Sequence, residues 1–175
     1  GSEMCIRDSD KIVQKTDKYP SLWQERILIR TASALHDIGK IGIDEAILNK
    51  PGRLTAEEFE SMKAHTTIGA DMLRNLPRYQ EERILQIAIE ICRWHHERYD
   101  GKGYPDGLVG DEIPISAQLV SIADVYDALT SERVYKKAFS HEKAMQMIRE
   151  GECGAFNPLL LSCLEEIADE LQAEM

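Results

Sequence analysis

Between Glu81 and Glu97 the apolar residues Ile84, Ala88 and Ile91 fall four and three positions apart, the period of one face of an α-helix. The next step of four along that face lands on His95. A stripe that should bury itself in a core therefore ends in an imidazole. The same period recurs along the chain. Leu28, Ala32 and Leu35 follow Pro20 and lead to His36-Asp37, after which Gly39 and Gly42 interrupt the helix. A short helical turn over Asp44 to Leu48 precedes the Pro51-Gly52 turn. Thr55-x-x-Glu58 has the capping-box spacing and opens a helix carrying Phe59, Met62, Thr66, Gly69 and Leu73, with His65 beside that stripe. Ile115, Leu119, Ile122, Tyr126 and Leu129 mark a further helix that carries Asp124. Ser140 caps one ending at Gly151, and Asn157-Pro158 starts a last helix reaching about Ala173. No segment sustains β alternation and no internal repeat is present, so the expected fold is a single all-α bundle of about six or seven helices.

One segment resists helix. Asp100 to Gly110 holds four glycines and one proline in eleven residues, which predicts a loop, either ordered for function or mobile.

The chain has 175 residues, enough to bury a core without disulfides or a structural metal, so a bound metal is free for chemistry. A formal net charge of −10 argues against coating polymeric nucleic acid, while a small anion needs only a local cluster of cations. The four cysteines (Cys5, Cys92, Cys153, Cys163) form no C-x-x-C pair and read as reduced structural thiols. No apolar run is long enough to span a membrane and no signal peptide opens the sequence, so the expectation is a cytoplasmic domain without membrane contact. Gly1-Ser2 resembles a protease-cleavage scar. Residues 1–9 show no period that continues into the helical stretches and are set apart as a cloning remnant, leaving 10–175 as the domain, shortened at its amino end.

A lone histidine on an apolar face is usually a satisfied core residue. Here four of the five, His36, His65, His95 and His96, fall at or near the inner ends of three helices, with Asp37 and Asp124 in similar settings. Imidazole and carboxylate without thiolate suit iron, manganese or zinc rather than copper(I) or a cluster. A carboxylate beside a histidine, as in His36-Asp37, can bridge two ions, and two ions about 3.5–4 Å apart can activate a water and clamp an in-line phosphoryl displacement. The constellation points to hydrolysis of a phosphate ester.

The ordered set His36-Asp37-Ile38-Gly39-Lys40, His65, His95-His96-Glu97, Asp100-Gly-Lys-Gly-Tyr-Pro105 and Ala123-Asp124-Val-Tyr-Asp127-Ala-Leu-Thr130 resembles the HD-GYP branch of the HD phosphohydrolases, over about Leu35 to Pro158. The resemblance implies a bacterial signalling domain that hydrolyses cyclic di-GMP to the linear dinucleotide, with further cleavage to GMP left open, at a two- or three-metal centre. It implies two divalent ions here, iron or manganese first, with zinc, nickel or magnesium as alternatives. By position it makes His36, Asp37, His65, His95, His96 and Asp124 metal ligands, with Asp37 bridging, and Asp37 and Lys40 catalytic. Lys40, Tyr104, Arg133 and Lys136 become substrate contacts. It also implies an upstream sensor or receiver domain and a protein partner at the Gly-Tyr-Pro loop. Glu97 is read as support for a ligating histidine, and His141, after its Ser140 cap, as exposed.

One departure stands out. The family carries a further metal-binding histidine about 30 residues before the His-Asp pair, and no histidine precedes His36 here. That leaves two alternatives: an impaired module that binds cyclic di-GMP or docks a partner, and an HD phosphohydrolase for another cyclic dinucleotide or nucleotide.

Overall fold

A computed structural model describes residues 9–12, 14–132 and 137–173. Among these residues there is no strand, and nine α-helices come after a helical segment at 9–12: α1 Leu22–Ser33, α2 Glu45–Leu48, α3 Ala56–Lys63, α4 His65–Arg74, α5 Arg83–Trp94, α6 Ile115–Thr130, α7 His141–Arg149, α8 Pro158–Glu166 and α9 Ala168–Ala173. The all-α expectation holds. The count exceeds six or seven because two expected helices each break once.

The first break lies at Ala64, between α3 and α4. The ring of His65 bonds the carbonyl of Met62 at 2.7 Å and the hydroxyl of Thr66 bonds that of Lys63 at 2.8 Å, so side chains take acceptors that a continuous helix would offer to amides. The second lies between α8 and α9 at Ile167, whose backbone leaves the helical region at φ −99°, ψ 3° and whose side chain is fully buried. The signalled caps form as expected. Thr55 and Glu58 close a reciprocal capping box, and Ser140 and Asn157 accept from the amides of Lys143 and Leu159.

Helix α6 is the centre of the bundle. Every residue from Ser116 to Ala123 is buried, as expected for a helix covered on all sides. Helix α5 packs between α1, α4 and α6 and buries Leu85, Ile87, Ala88, Ile91 and Cys92. Cys92 is a buried thiol that donates to the Leu35 carbonyl at 3.1 Å. Among the described residues no helix is long and apolar enough to cross a membrane.

Two close approaches depend on glycine. Residues Ile38–Gly42 form a 3-10 turn packed on α4, and a Cβ at Gly39 would stand 1.8 Å from the carbonyl oxygen of His65. A Cβ at Gly103 would stand 2.4 Å from Cα of Glu97. The first contact sets Asp37 beside α4, and the second lays the glycine-rich loop over the end of α5.

Candidate metal centre

Three helix ends meet at one point, and a histidine stands at each. Helix α1 stops at Ser33 and the chain tightens through turns to the 3-10 segment, so His36 lies just past the helix end, whereas the sequence pattern runs the helix through it. His36 Nδ1 lies 2.7 Å from the carbonyl of Ser33, His65 Nδ1 2.7 Å from that of Met62, and His95 Nδ1 2.8 Å from that of Ile91. A carbonyl can only accept, so each Nδ1 carries the proton. Each of these carbonyls also accepts a backbone amide, from His36, Ala64 and His95 respectively. Each Nε2 is turned inward, the arrangement that orients ligating histidines.

Asp37, His65, His95 and His96 each offer one ligand atom within 4.8 Å of one another. The Nε2 atoms of His65 and His95 are buried without a hydrogen-bond partner, which is costly unless something else occupies their lone pairs. Asp37 faces two ways. Its Oδ1 lies 3.4 Å from His65 Nε2, and its Oδ2 lies 3.3 Å from His36 Nε2 and 2.5 Å from Lys40 Nζ. His36 Nε2 is also 3.6 Å from Asp124 Oδ1. Two adjoining sets thus share Asp37: one of three imidazoles, the other of His36 and Asp124.

The electrostatics divide along the same line. Burial pushes His95 down to about 4, with the neighbouring His36 charge adding to it, and burial also drives His65 and His96 down. These rings are neutral at pH 7 and ready to ligate. Burial works against charge on His36 too, but its hydrogen bonds to Asp124 and Asp37 prevail and raise it to about 10. Asp37 and Asp124 are held below the usual carboxylate range despite burial, with His36 the main cause. The mixed nitrogen and oxygen donors fit a borderline divalent ion.

Tyr104 lies against this cluster. Its ring stacks on His96 with centroids 4.8 Å apart and planes 25° apart, and its amide bonds the His96 carbonyl at 3.3 Å. The loop that carries it is fixed. Glu97, only 2% exposed, accepts from the amides of Asp106, Gly107 and Leu108 at 2.7, 3.0 and 3.0 Å. Asp106 in turn receives a two-pronged bond from Arg93 at 2.8 and 2.9 Å and the Trp94 indole at 2.7 Å. Glu97 therefore supports the loop rather than a histidine, because its carboxylate is spent on backbone amides. Sequence reasoning passed over Arg98, whose guanidinium reaches Ser121 of α6 at 2.7 Å and ties the end of α5 to the central helix. His141 corrects another expectation: it is buried, with Nδ1 2.8 Å from the Tyr126 hydroxyl. Arg133 and Lys136 lie outside the described residues.

The family model for the HD domain matches residues 6–158. A cyclic di-GMP phosphodiesterase of Vibrio cholerae is 46% identical over 83% of this chain and 30% of its own length. The cyclic di-GMP phosphodiesterase response regulator RpfG of Xanthomonas campestris is 43% identical over 81% of this chain and 36% of its own. The 3'3'-cGAMP-specific phosphodiesterase 2 of V. cholerae is 42% identical over 85% of this chain and 28% of its own. The chain spans about a third of the length of these relatives.

Proposed function

Because the chain belongs to the HD domain family, in its HD-GYP branch, we propose that it is a metal-dependent phosphodiesterase that hydrolyses cyclic di-GMP in bacterial signalling. The observation that carries this reading is the two-faced carboxylate of Asp37, set between three neutral imidazoles and His36 with Asp124. Asp37, His65, His95 and His96 would hold one ion. His36, Asp124 and the second oxygen of Asp37 would hold another, iron or manganese in each case. Such ions, when bound, polarise a phosphoryl oxygen and acidify water.

The protein's own groups do the rest. Lys40 is half-exposed and pairs with Asp37; in our reading it turns to the substrate phosphate, where a cation offsets charge gathering on the phosphoryl oxygens. Tyr104 closes one side of the cluster against water. Its hydroxyl, raised to about 12 by burial, stays protonated and donates a hydrogen bond to the dinucleotide. Arg133 and Lys136 are proposed as further cations on the ligand, on the residue pattern alone.

The test is turnover of cyclic di-GMP by protein purified without chelator, before and after chelation and re-addition of Mn²⁺ or Fe²⁺. Metal-dependent appearance of the linear dinucleotide supports the reading, and metal binding without cleavage of any cyclic dinucleotide overturns it. The relative named for 3'3'-cGAMP favours one second reading, another cyclic dinucleotide as substrate, and the same assay run with 3'3'-cGAMP decides between them.

A further inference from the structure

Outside the ligand cluster, three side chains from two different elements converge at its rim. The aromatic stack does not stop at Tyr104. Phe59, on α3, meets the Tyr104 ring edge to face, with centroids 6.2 Å apart and planes 84° apart. Tyr104 thus contacts His96 on one side of the chain of rings and Phe59 on the other. An edge-on contact covers only part of either ring, and Phe59 is 45% exposed, so much of it faces solvent. Helix α3 has no buried residue at all, so Phe59 is not its anchor in the core. Lys63, one turn on, holds its ammonium 5.0 Å from the Phe59 centroid and 5.4 Å from that of Tyr104. Its partner is Glu60 at 2.7 Å, which is itself 70% exposed. The lysine side chain is 28% exposed, so the weak side of the pair is the open carboxylate, which an incoming anion can displace.

A half-open aromatic ring beside a releasable cation suits one chemical class: a planar base carried on a phosphate. The base stacks on the ring, a contact that tolerates any base because every base has a π face, and the ammonium meets the negative charge. We propose that Phe59 and Lys63, with Tyr104, form a base-binding step at the rim of the metal cluster that takes one purine of a cyclic dinucleotide and sets its affinity. This rests on the phosphodiesterase reading above. Phe59 and Lys63 are affinity residues that lie outside the ligand cluster.

The experiment compares wild type, Phe59→Leu, Phe59→Trp and Lys63→Gln, each loaded with Mn²⁺, in anisotropy titrations with fluorescently labelled cyclic di-GMP. Inorganic phosphate serves as a competitor that has no base. Leucine keeps apolar bulk against Tyr104 but removes the ring. It should weaken the dinucleotide roughly tenfold, while tryptophan retains or improves affinity. Inorganic phosphate should compete equally well in wild type and in both Phe59 variants, and the thermal shift with Mn²⁺ should not change. Lys63→Gln should weaken binding roughly threefold and flatten its dependence on salt. Wild-type affinity in Phe59→Leu, or equal losses for the dinucleotide and for phosphate, would overturn the proposal and leave Phe59 as packing alone. If wild type binds Mn²⁺ but no cyclic dinucleotide, the phosphodiesterase reading falls and this subsite falls with it.

Discussion

Oδ1 of Asp37 lies 3.4 Å from Nε2 of His65, across the point where the 3-10 turn crosses α4. The two residues come from different helical segments and share no hydrogen bond that would hold them. What sets their distance is the backbone contact at Gly39.

Gly39→Ala should therefore damage the site without touching a ligand. The new methyl would overlap the backbone carbonyl of His65, which cannot swing aside as a side chain could, and the turn must move away. We expect a loss of about 1–3 kcal/mol in urea unfolding, as for overpacking a close contact. Mn²⁺ should also give a smaller thermal shift, because Asp37 leaves the three imidazoles. A fully stable variant with an undiminished Mn²⁺ shift would show that this crossing does not position the site.

The metal reading predicts that His95→Ala combined with His96→Ala abolishes binding of the first ion, since each ring supplies one of four donors. Elemental analysis of the variant should find at most the ion held by His36, Asp37 and Asp124. A binding partner stabilises the folded state by mass action, so wild type should gain thermal stability with Mn²⁺ and the variant much less. Metal-free wild type that shows no shift with Mn²⁺ or Fe²⁺ would contradict the site.

Glu97→Gln should loosen the glycine-rich loop. Its carboxylate receives three backbone amides from inside a nearly sealed pocket, and an amide side chain offers only one oxygen and points an NH₂ at a donor. The expected cost is about 1–3 kcal/mol. Hydrogen exchange should accelerate at Asp106, Gly107 and Leu108 while the Mn²⁺ shift is retained. Exchange unchanged at these three amides would mean that Asp106, through Arg93 and Trp94, holds the loop alone.

The metal-free protein should lose stability early on the acid side. His65, His95 and His96 are depressed by burial, His95 to about 4, whereas an unfolded histidine ionises near 6.5. Below about pH 6.5 the unfolded chain binds protons that the folded one refuses, so stability falls by up to about 1.4 kcal/mol per pH unit for each such ring. His36 has the opposite sign: raised to about 10, its contribution is complete below about 6.5 and is lost as pH rises through 10. Asp37 and Asp124, lowered by His36, keep their contribution until pH falls below about 4. Urea unfolding of chelator-treated protein from pH 8 to 4 should show the decline beginning near 6.5. A flat profile down to pH 5 would show that these rings are solvated.

Much of this was legible in the residues themselves. Helical spacing announced the bundle, Thr55, Ser140 and Asn157 announced their caps, and the ordered histidines and aspartates announced a cluster of donors able to hold a metal, because period, capping chemistry and donor type are properties of the local chain. His141 was misread because exposure is not local: its burial depends on Tyr126, fifteen residues away on another helix. Glu97 was misread for the same reason, since its partners are amides of a loop whose path the spacing does not reveal. The break at Ala64 turned on which carbonyls His65 and Thr66 would take, a competition between side chain and backbone that propensity leaves open. By itself, then, the sequence determined which atoms are available to bind: four imidazoles that suit a divalent ion, two carboxylates, and a glycine-rich loop with a tyrosine. Only the tertiary structure decided how they divide. The two oxygens of Asp37 face different histidines because the Gly39 backbone rests against His65, and such a contact between distant segments exists only once the helices have packed.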